Sequence, residues 1–147
     1  MAIYQHVLIG VDFSTESEVV VDKAMQLAES MGARIGFIHV VEYTGYLYPP
    51  DTPFPVELNI EQQFVEKAEE RLRFLVEEKG RADAERIVEV GSPTHEIVRV
   101  AKQREFDLII LGTHGRHGIQ RILGSTVSGV MHIADCDVLA IRVGRTR

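Results

Sequence analysis

A glycine-rich segment ahead of a predicted helix carries the clearest chemical signal in this 147-residue chain. Gly112 and Gly115 stand near its start, and residues 124–126 (Gly, Ser, Thr) stand where the helix begins. Glycine lets backbone approach a ligand closely, and the first turn of a helix offers free N–H groups and a partial positive charge. No Asp or Glu occurs from residue 108 through 134. The segment therefore predicts a phosphate site; the alternative is that it only makes tight turns and caps the helix.

The carboxylate of Asp12, which follows the first predicted strand, is a second candidate group. It could accept a hydrogen bond from a ribose or a base, or hold Mg²⁺ through water. Equally, it could be an acid at a helix start, where the helix dipole favours it. His114 with His117, and His132 with Cys136, have spacings that metal sites use. Because no fuller ligand set accompanies them, we predict no metal site.

Sharper nucleotide and hydrolase motifs are absent from the sequence. No GxxxxGK[ST] pattern occurs, which excludes a P-loop, and the turn at residues 10–14 lacks the GxGxxG of dinucleotide-binding folds. No GxSxG elbow surrounds Ser125 or Ser128, so an α/β-hydrolase mechanism has no nucleophile signature. The sequence therefore predicts no catalytic residue.

Length and composition predict one globular domain, residues 1–147. The chain length falls within the range of about 100–200 residues for one domain. Its contents of 45% apolar and 26% charged residues are typical of globular chains. The net charge of -6 gives no general affinity for nucleic-acid phosphates. The single Cys136 excludes an internal disulfide. Neither a secretory signal nor an apolar run of about 18 residues is visible. We therefore expect a cytoplasmic protein without nucleic-acid or membrane partners.

Short, continuous apolar runs predict five strands that are covered on both faces. These strands lie at residues 7–11, 35–41, 87–90, 108–111 and 138–143. Helical patterns separate them, apart from a proline-rich loop at residues 43–55. Such alternation predicts an α/β fold, namely a doubly wound parallel sheet with helices on both faces. Ligands bind such sheets beyond the carboxyl ends of the strands.

Four helices are predicted between the strands. The first begins at Ser14 or Thr15, with Thr15 and Glu18 as a capping box, and ends near Gly32. Phe64, Ala68, Leu72 and Leu75 mark the inner face of the second. The third opens at Ser92-Pro93, and the fourth runs from about residue 124 to 134.

The chain resembles the universal stress protein family over essentially its whole length. The resemblance rests on the opening strand that ends in Asp12-Phe13-Ser14, on the strand residues Ile38-His39-Val40-Val41, on Gly91-Ser92-Pro93, and on Leu111 to Arg116 leading to Gly124-Ser125. It implies five parallel strands in the order 3-2-1-4-5 between two helical layers. The strand order then reverses between strands one and four, which places Asp12 beside Gly112.

ATP-binding members of that family carry Gly, two residues, Gly, nine residues, Gly and then Ser or Thr. Gly112, Gly115, Gly124 and Ser125 map onto this pattern, with eight residues instead of nine before Gly124. Because the chain keeps the glycines, the resemblance places it with the nucleotide binders. The spacing leaves ATP, AMP and an empty cleft as alternatives.

By the same resemblance, a binding role falls on residues at four strand or helix ends. The base and ribose would be held by Asp12 and by the backbone near Gly10, Val11 and Val40. The sugar and the first phosphates would lie near Leu111, Gly112, His114 and Gly115. The terminal phosphates would be held by Gly124, Ser125 and Thr126. The family also implies a homodimer through the last strand, Val138 to Val143, because an exposed apolar edge strand needs a cover.

These observations favour a regulatory or sensing dimer in stress response that binds ATP or AMP, with or without Mg²⁺. One alternative is a protein-interaction module whose cleft stays empty. Another is a weak ATPase or an enzyme that phosphorylates its own Ser125 or Thr126, although the sequence identifies no general base and no P-loop lysine.

Overall fold

Five strands alternate with four helices in the computed structural model, which describes residues 2–42, 60–113 and 124–143. The predicted loop at 43–55 and the predicted site residues His114 and Gly115 lie outside the described residues. The elements are β1 His6–Gly10, α1 Thr15–Ser30, β2 Arg34–Val41, α2 Ile60–Glu78, β3 Glu85–Val90, α3 Pro93–Gln103, β4 Leu108–Gly112, α4 Ser125–Ile133 and β5 Asp137–Ile141.

The strands form one parallel sheet in the order β3-β2-β1-β4-β5, which confirms the predicted fold class and order. β1 lies at the centre, where Ile9 pairs with Phe37 of β2 on one side and with Ile110 of β4 on the other. From β1 the chain continues to β2 and β3 on one side of the sheet, and it then crosses to β4 and β5 on the other side. A crevice therefore opens between β1 and β4 at the carboxyl end of the sheet.

Two hydrophobic clusters cover the two faces of the sheet. Val7 and Ile9 of β1 point into the cluster that contains α1 and α2, whereas Leu8 points into the cluster that contains α3 and α4. All three side chains are fully buried. This burial on both sides explains why the strands appear in the sequence as continuous apolar runs instead of alternating ones.

The start of α1 differs from the predicted capping box. Ser14 is the N-cap, and its Oγ accepts a hydrogen bond from the backbone N–H of Ser17 at 3.2 Å. The Thr15–Glu18 pairing is therefore wrong, because Thr15 already lies inside the helix and Ser17, not Glu18, occupies the capped position.

The inner face of α2 also differs from its predicted composition. Ala68, Leu72 and Val76 are buried, Leu75 is half-buried, and Phe64 is 52% exposed. Phe64 continues the same four-residue line, but it borders the cleft described below instead of the core. An apolar residue at helical spacing can thus belong to a site wall.

Residue Gly129 sets how closely α3 and α4 approach each other. A Cβ at this position would lie 2.7 Å from Thr94 Cγ2 and 2.9 Å from Thr94 Oγ1. Gly129→Ala is therefore expected to destabilise the fold by about 1 kcal/mol, since crowding outweighs the gain in helix propensity. In a Thr94→Ala background the nearest of these atoms is the Cβ at 3.4 Å. There, Gly129→Ala is expected to stabilise the fold by about 0.5–1 kcal/mol.

Denaturant unfolding of the four proteins in this cycle measures both effects. A Gly129→Ala effect of the same sign in both backgrounds would contradict the assignment of crowding to Thr94.

Candidate functional site

A cleft of about 490 Å³ lies at the carboxyl ends of β1, β2 and β4, within the size range of small-molecule sites. The helical layers on both faces of the sheet contribute to its walls. Its lining comprises Gly10, Val11, Asp12, Phe13, Ser17, Val20, Ile38, His39, Val40, Val41, Glu42, Phe64, Lys67, Ala68, Arg71, Pro93, Ile97, Leu111, Gly112, Thr126 and Val127.

Most of the predicted binding residues meet at this cleft. Gly10, Val11, Asp12, Val40, Leu111, Gly112 and Thr126 all line it. The other two described candidates, Gly124 and Ser125, do not line it, but they directly precede Thr126 at the start of α4. A Cβ on Gly10 would collide with the Leu111 side chain, so the glycine allows β1 and β4 to bring these ends together.

The carboxylate of Asp12 organises the turn between β1 and α1. Its Oδ1 accepts hydrogen bonds from the backbone N–H of Ser14 at 2.9 Å and from the Ser14 hydroxyl at 2.6 Å. Within the described part of the chain, every hydrogen bond of Asp12 involves Oδ1. Asp12 thus supports the N-cap of α1 through one carboxylate oxygen while it borders the cleft. The predicted alternatives, a capping acid and a ligand-binding acid, are compatible in this geometry.

Residue Thr113 fixes the start of α4 against the sheet. Its carbonyl accepts a hydrogen bond from Gly124 N–H at 2.6 Å, and its own N–H donates to the carbonyl of Ile141 at 2.9 Å. Its hydroxyl accepts from the N–H of Val143 at 3.2 Å. Thr113 and Gly124, which are separated in the chain, therefore meet beside the carboxyl end of β4.

Helices α1 and α3 also reach the cleft, and both carry acidic residues in their first turns, although the side chain of the α3 N-cap, Ser92, makes no capping hydrogen bond. Ser14 caps α1, and Glu16 and Glu18 lie in its first turn. Glu96 lies in the first turn of α3. A hydrogen bond of 2.9 Å from Arg99 holds the pKa of the Glu96 carboxyl below its usual value, which keeps it ionised. Both helix dipoles are thereby balanced by the chain's own carboxylates.

The N-terminus of α4 has no such balance. Its N-cap is Gly124, no side chain of the described residues caps it, and its first turn contains no acid. Although the N–H of Gly124 is used by Thr113, the N–H groups of the next residues have no partners within the helix. Because Thr126 lines the cleft, this uncapped end lies at the site. It is suited to bind an anionic group.

This architecture has close counterparts among known proteins. The model of the universal stress protein family matches residues 3–142. The chain belongs to this family. Universal stress protein A homolog 1 of Coxiella burnetii is 33% identical over 138 residues, which cover 94% of this chain and 96% of that relative. Universal stress protein YxiE of Bacillus subtilis is 30% identical over 148 residues, or 95% and 99% of the two chains.

Two solved structures extend the comparison. Universal stress protein UspA from Lactobacillus plantarum matches with a TM-score of 0.76 at 30% identity, covering 97% of this chain and 100% of that one. A universal stress protein in complex with cAMP matches with a TM-score of 0.64 at 27% identity, covering 98% and 100%. Both have the fold observed here.

Several side chains at the cleft of this family member were not predicted from the sequence, among them Phe13, His39, Lys67 and Arg71. The Arg71 guanidinium lies 4.4 Å from the centroid of the Phe13 ring, and the Phe13 ring lies 4.5 Å from the His39 ring. Lys67 and Arg71 stand four residues apart, so they share one face of α2. That spacing is visible in the sequence, but it does not indicate which surface the helix covers.

The described residues contain no group of three or more His, Cys, Asp or Glu side chains that could hold a metal ion. His132 and Cys136, which are both described, therefore form no part of such a group. Within the same residues, no helix is long and apolar enough to cross a membrane.

Proposed function

We propose that this chain binds an adenine nucleotide, ATP or AMP, in the cleft and acts as a regulatory or sensing homodimer in the cytoplasmic stress response. The observation that carries the proposal is the N-terminus of α4, which has neither a side-chain cap nor an acid in its first turn, at a cleft where the first turns of α1 and α3 contain acidic residues. A phosphate supplies the acceptor and the negative charge that this helix end lacks.

The proposed contacts involve residues at the strand and helix ends that surround the cleft. Base and ribose contact Asp12 and the backbone near Gly10, Val11 and Val40. The sugar and first phosphates lie near Leu111, Gly112, His114 and Gly115. The terminal phosphates contact Gly124, Ser125 and Thr126. The apolar side chains of Ile38, Val40, Ile97 and Leu111 give the base a surface to pack on.

The family comparison supports an adenine nucleotide in particular. The similar structure solved with cAMP has an adenine ligand, and its chain is 27% identical to this one. Mg²⁺, where it takes part, would come with the phosphates of ATP, because Mg²⁺ commonly uses one or two carboxylates together with phosphates. Among the described residues, Asp12 and Glu42 are the carboxylates that line the cleft.

Ligand identity is tested by purifying the protein without added nucleotide, denaturing it and identifying any released small molecule by mass spectrometry. The emptied protein is then titrated with ATP, ADP, AMP and cAMP by calorimetry. Release of an adenine nucleotide, or a clear titration, supports the proposal. An empty protein that binds none of the four would favour an interaction module instead.

The proposed dimer uses β5, an edge strand of the sheet. Leu139 of this strand is 37% exposed, whereas Val143, which the sequence placed within the strand, lies beyond it and is buried. The predicted surface of Val138 to Val143 is therefore corrected to the strand Asp137–Ile141. An open edge next to an exposed apolar side chain favours pairing with a second copy.

Placing a charge on this edge should dissociate the dimer. In a two-fold symmetric strand pair each Leu139→Lys substitution acts twice, so the dimer dissociation constant is expected to rise by at least about tenfold. Sedimentation equilibrium measures it. Val19→Lys is the matched control, because Val19 is 47% exposed on α1 and is not part of β5. Equal dimer populations in the Leu139→Lys variant and the wild type would refute the β5 interface.

A further inference from the structure

Two basic side chains of α2, Lys67 and Arg71, line the cleft from the helical layer opposite α4. Neither forms an ion pair with another described residue. Just after α2, by contrast, Lys79 contacts Asp22 at 2.9 Å and Arg81 contacts Glu29 at 3.2 Å. In a chain with 22 acidic and 16 basic residues, these two positive charges at the wall of the cleft have no acidic partner among the described residues.

The exposed Arg71 side chain packs against a pair of contacting rings. Its guanidinium lies over the Phe13 ring, and Phe13 packs against His39. The Nδ1 atom of His39 lies 2.7 Å from the carbonyl oxygen of Val11. Phe13 itself has a φ of 61°, a conformation that a bulky side chain rarely adopts and that surrounding structure must stabilise. This arrangement places the guanidinium near the turn that contains Asp12.

We propose that Lys67 and Arg71 form a second anion subsite, and that the preferred ligand is a nucleotide with a phosphate on a ribose 2′ or 3′ hydroxyl in addition to its 5′ phosphate. The inference rests on the proposed function, in which the 5′ phosphates lie at α4 and the ribose at Asp12. Because Phe13 directly follows Asp12, ribose hydroxyls at Asp12 lie beside the ring that carries Arg71.

The chemistry of the two side chains matches a phosphate monoester. A guanidinium donates two parallel hydrogen bonds to phosphate oxygens, and an ammonium adds a mobile positive charge. A ligand with one phosphate group engages only α4 and leaves both cations unpaired. A bisphosphate places its 5′ phosphate at α4 and its additional phosphate at Lys67 and Arg71.

The test compares 5′-AMP with adenosine 2′,5′-bisphosphate and adenosine 3′,5′-bisphosphate by calorimetric titration of the nucleotide-free full chain at low salt. At least one bisphosphate is expected to bind about tenfold or more tightly than 5′-AMP. In the Lys67→Gln/Arg71→Gln variant this affinity ratio is expected to fall to about one. Arg73→Gln is the matched control, since Arg73 lies on the same helix and shares the groove between α1 and α2 with Arg71, but does not line the cleft; it should keep the wild-type ratio.

The outcomes separate the two proposals. If AMP binds the wild type but neither bisphosphate binds more tightly, or if the double variant keeps the ratio, the second subsite is refuted and the proposed function stands. If neither ATP nor AMP binds at all, the proposed function fails and this subsite fails with it. A ratio that decreases as ionic strength rises supports ionic contacts with the additional phosphate.

Discussion

Replacing Gly124 with Asp is expected to weaken ATP binding by about a hundredfold and to leave the folded protein at least as stable as the wild type. An Asp at the N-cap accepts hydrogen bonds from the first turn of α4, as Ser14 does for α1. It also puts a carboxylate where the terminal phosphate is proposed to lie. Two like charges about 4 Å apart repel by about 4 kcal/mol at an effective dielectric constant of 20, which is enough for that loss.

The backbone at Gly124 tolerates this substitution, because its φ of -55° is available to any residue. Calorimetric titration measures the affinity, and thermal unfolding without ligand measures the stability. Gly124→Asn is the matched control, since Asn caps a helix with nearly the same shape but carries no charge. We expect it to lose no more than about tenfold in affinity. Unchanged ATP affinity in the Asp variant would show that the phosphates do not lie at α4.

The strands were predictable because their burial leaves a local mark in the sequence. A strand covered on both faces, such as Leu108–Gly112, consists almost entirely of apolar residues, and the sequence marks it directly. The order of the strands came from the family resemblance, since local patterns do not determine which strands pair. The exact start of α1 could not be predicted, since Ser14 and Thr15 both have hydroxyls; the hydrogen bond that Ser14 Oγ accepts from the N–H of Ser17 identifies Ser14 as the cap.

The candidate site likewise contains residues that could be predicted from the sequence and residues that could not. Residues that follow strand ends, such as Asp12 and Gly112, could be predicted because the carboxyl ends of parallel strands meet at one edge of the sheet, whereas Gly10 came from the family resemblance. Lys67 and Arg71 could not. Their position at the cleft depends on how α2 packs against the sheet, and this is a property of the tertiary structure that neither residue's local sequence encodes.

Asp12 has both a structural contact and a proposed ligand contact, and its substitution should separate ligand binding from helix capping. Asp12→Ala removes both hydrogen bonds to Ser14 and the proposed acceptor for the ribose. We therefore expect a loss of about 1 kcal/mol in the free energy of unfolding and a loss of about thirtyfold or more in ATP affinity. Denaturant unfolding without ligand and calorimetric titration measure the two effects.

Asp12→Asn distinguishes the roles, because its amide oxygen can still accept from Ser14 while the negative charge is lost. The Asn variant is expected to unfold at nearly the wild-type denaturant concentration but to bind ATP about tenfold more weakly, since hydrogen bonds to charged groups are stronger than those to neutral ones. If Asn instead restores full affinity and Ala loses no more affinity than its stability loss accounts for, Asp12 acts only through the turn and the N-cap of α1. The ribose contact would then have to come from the backbone at the ends of β1 and β4.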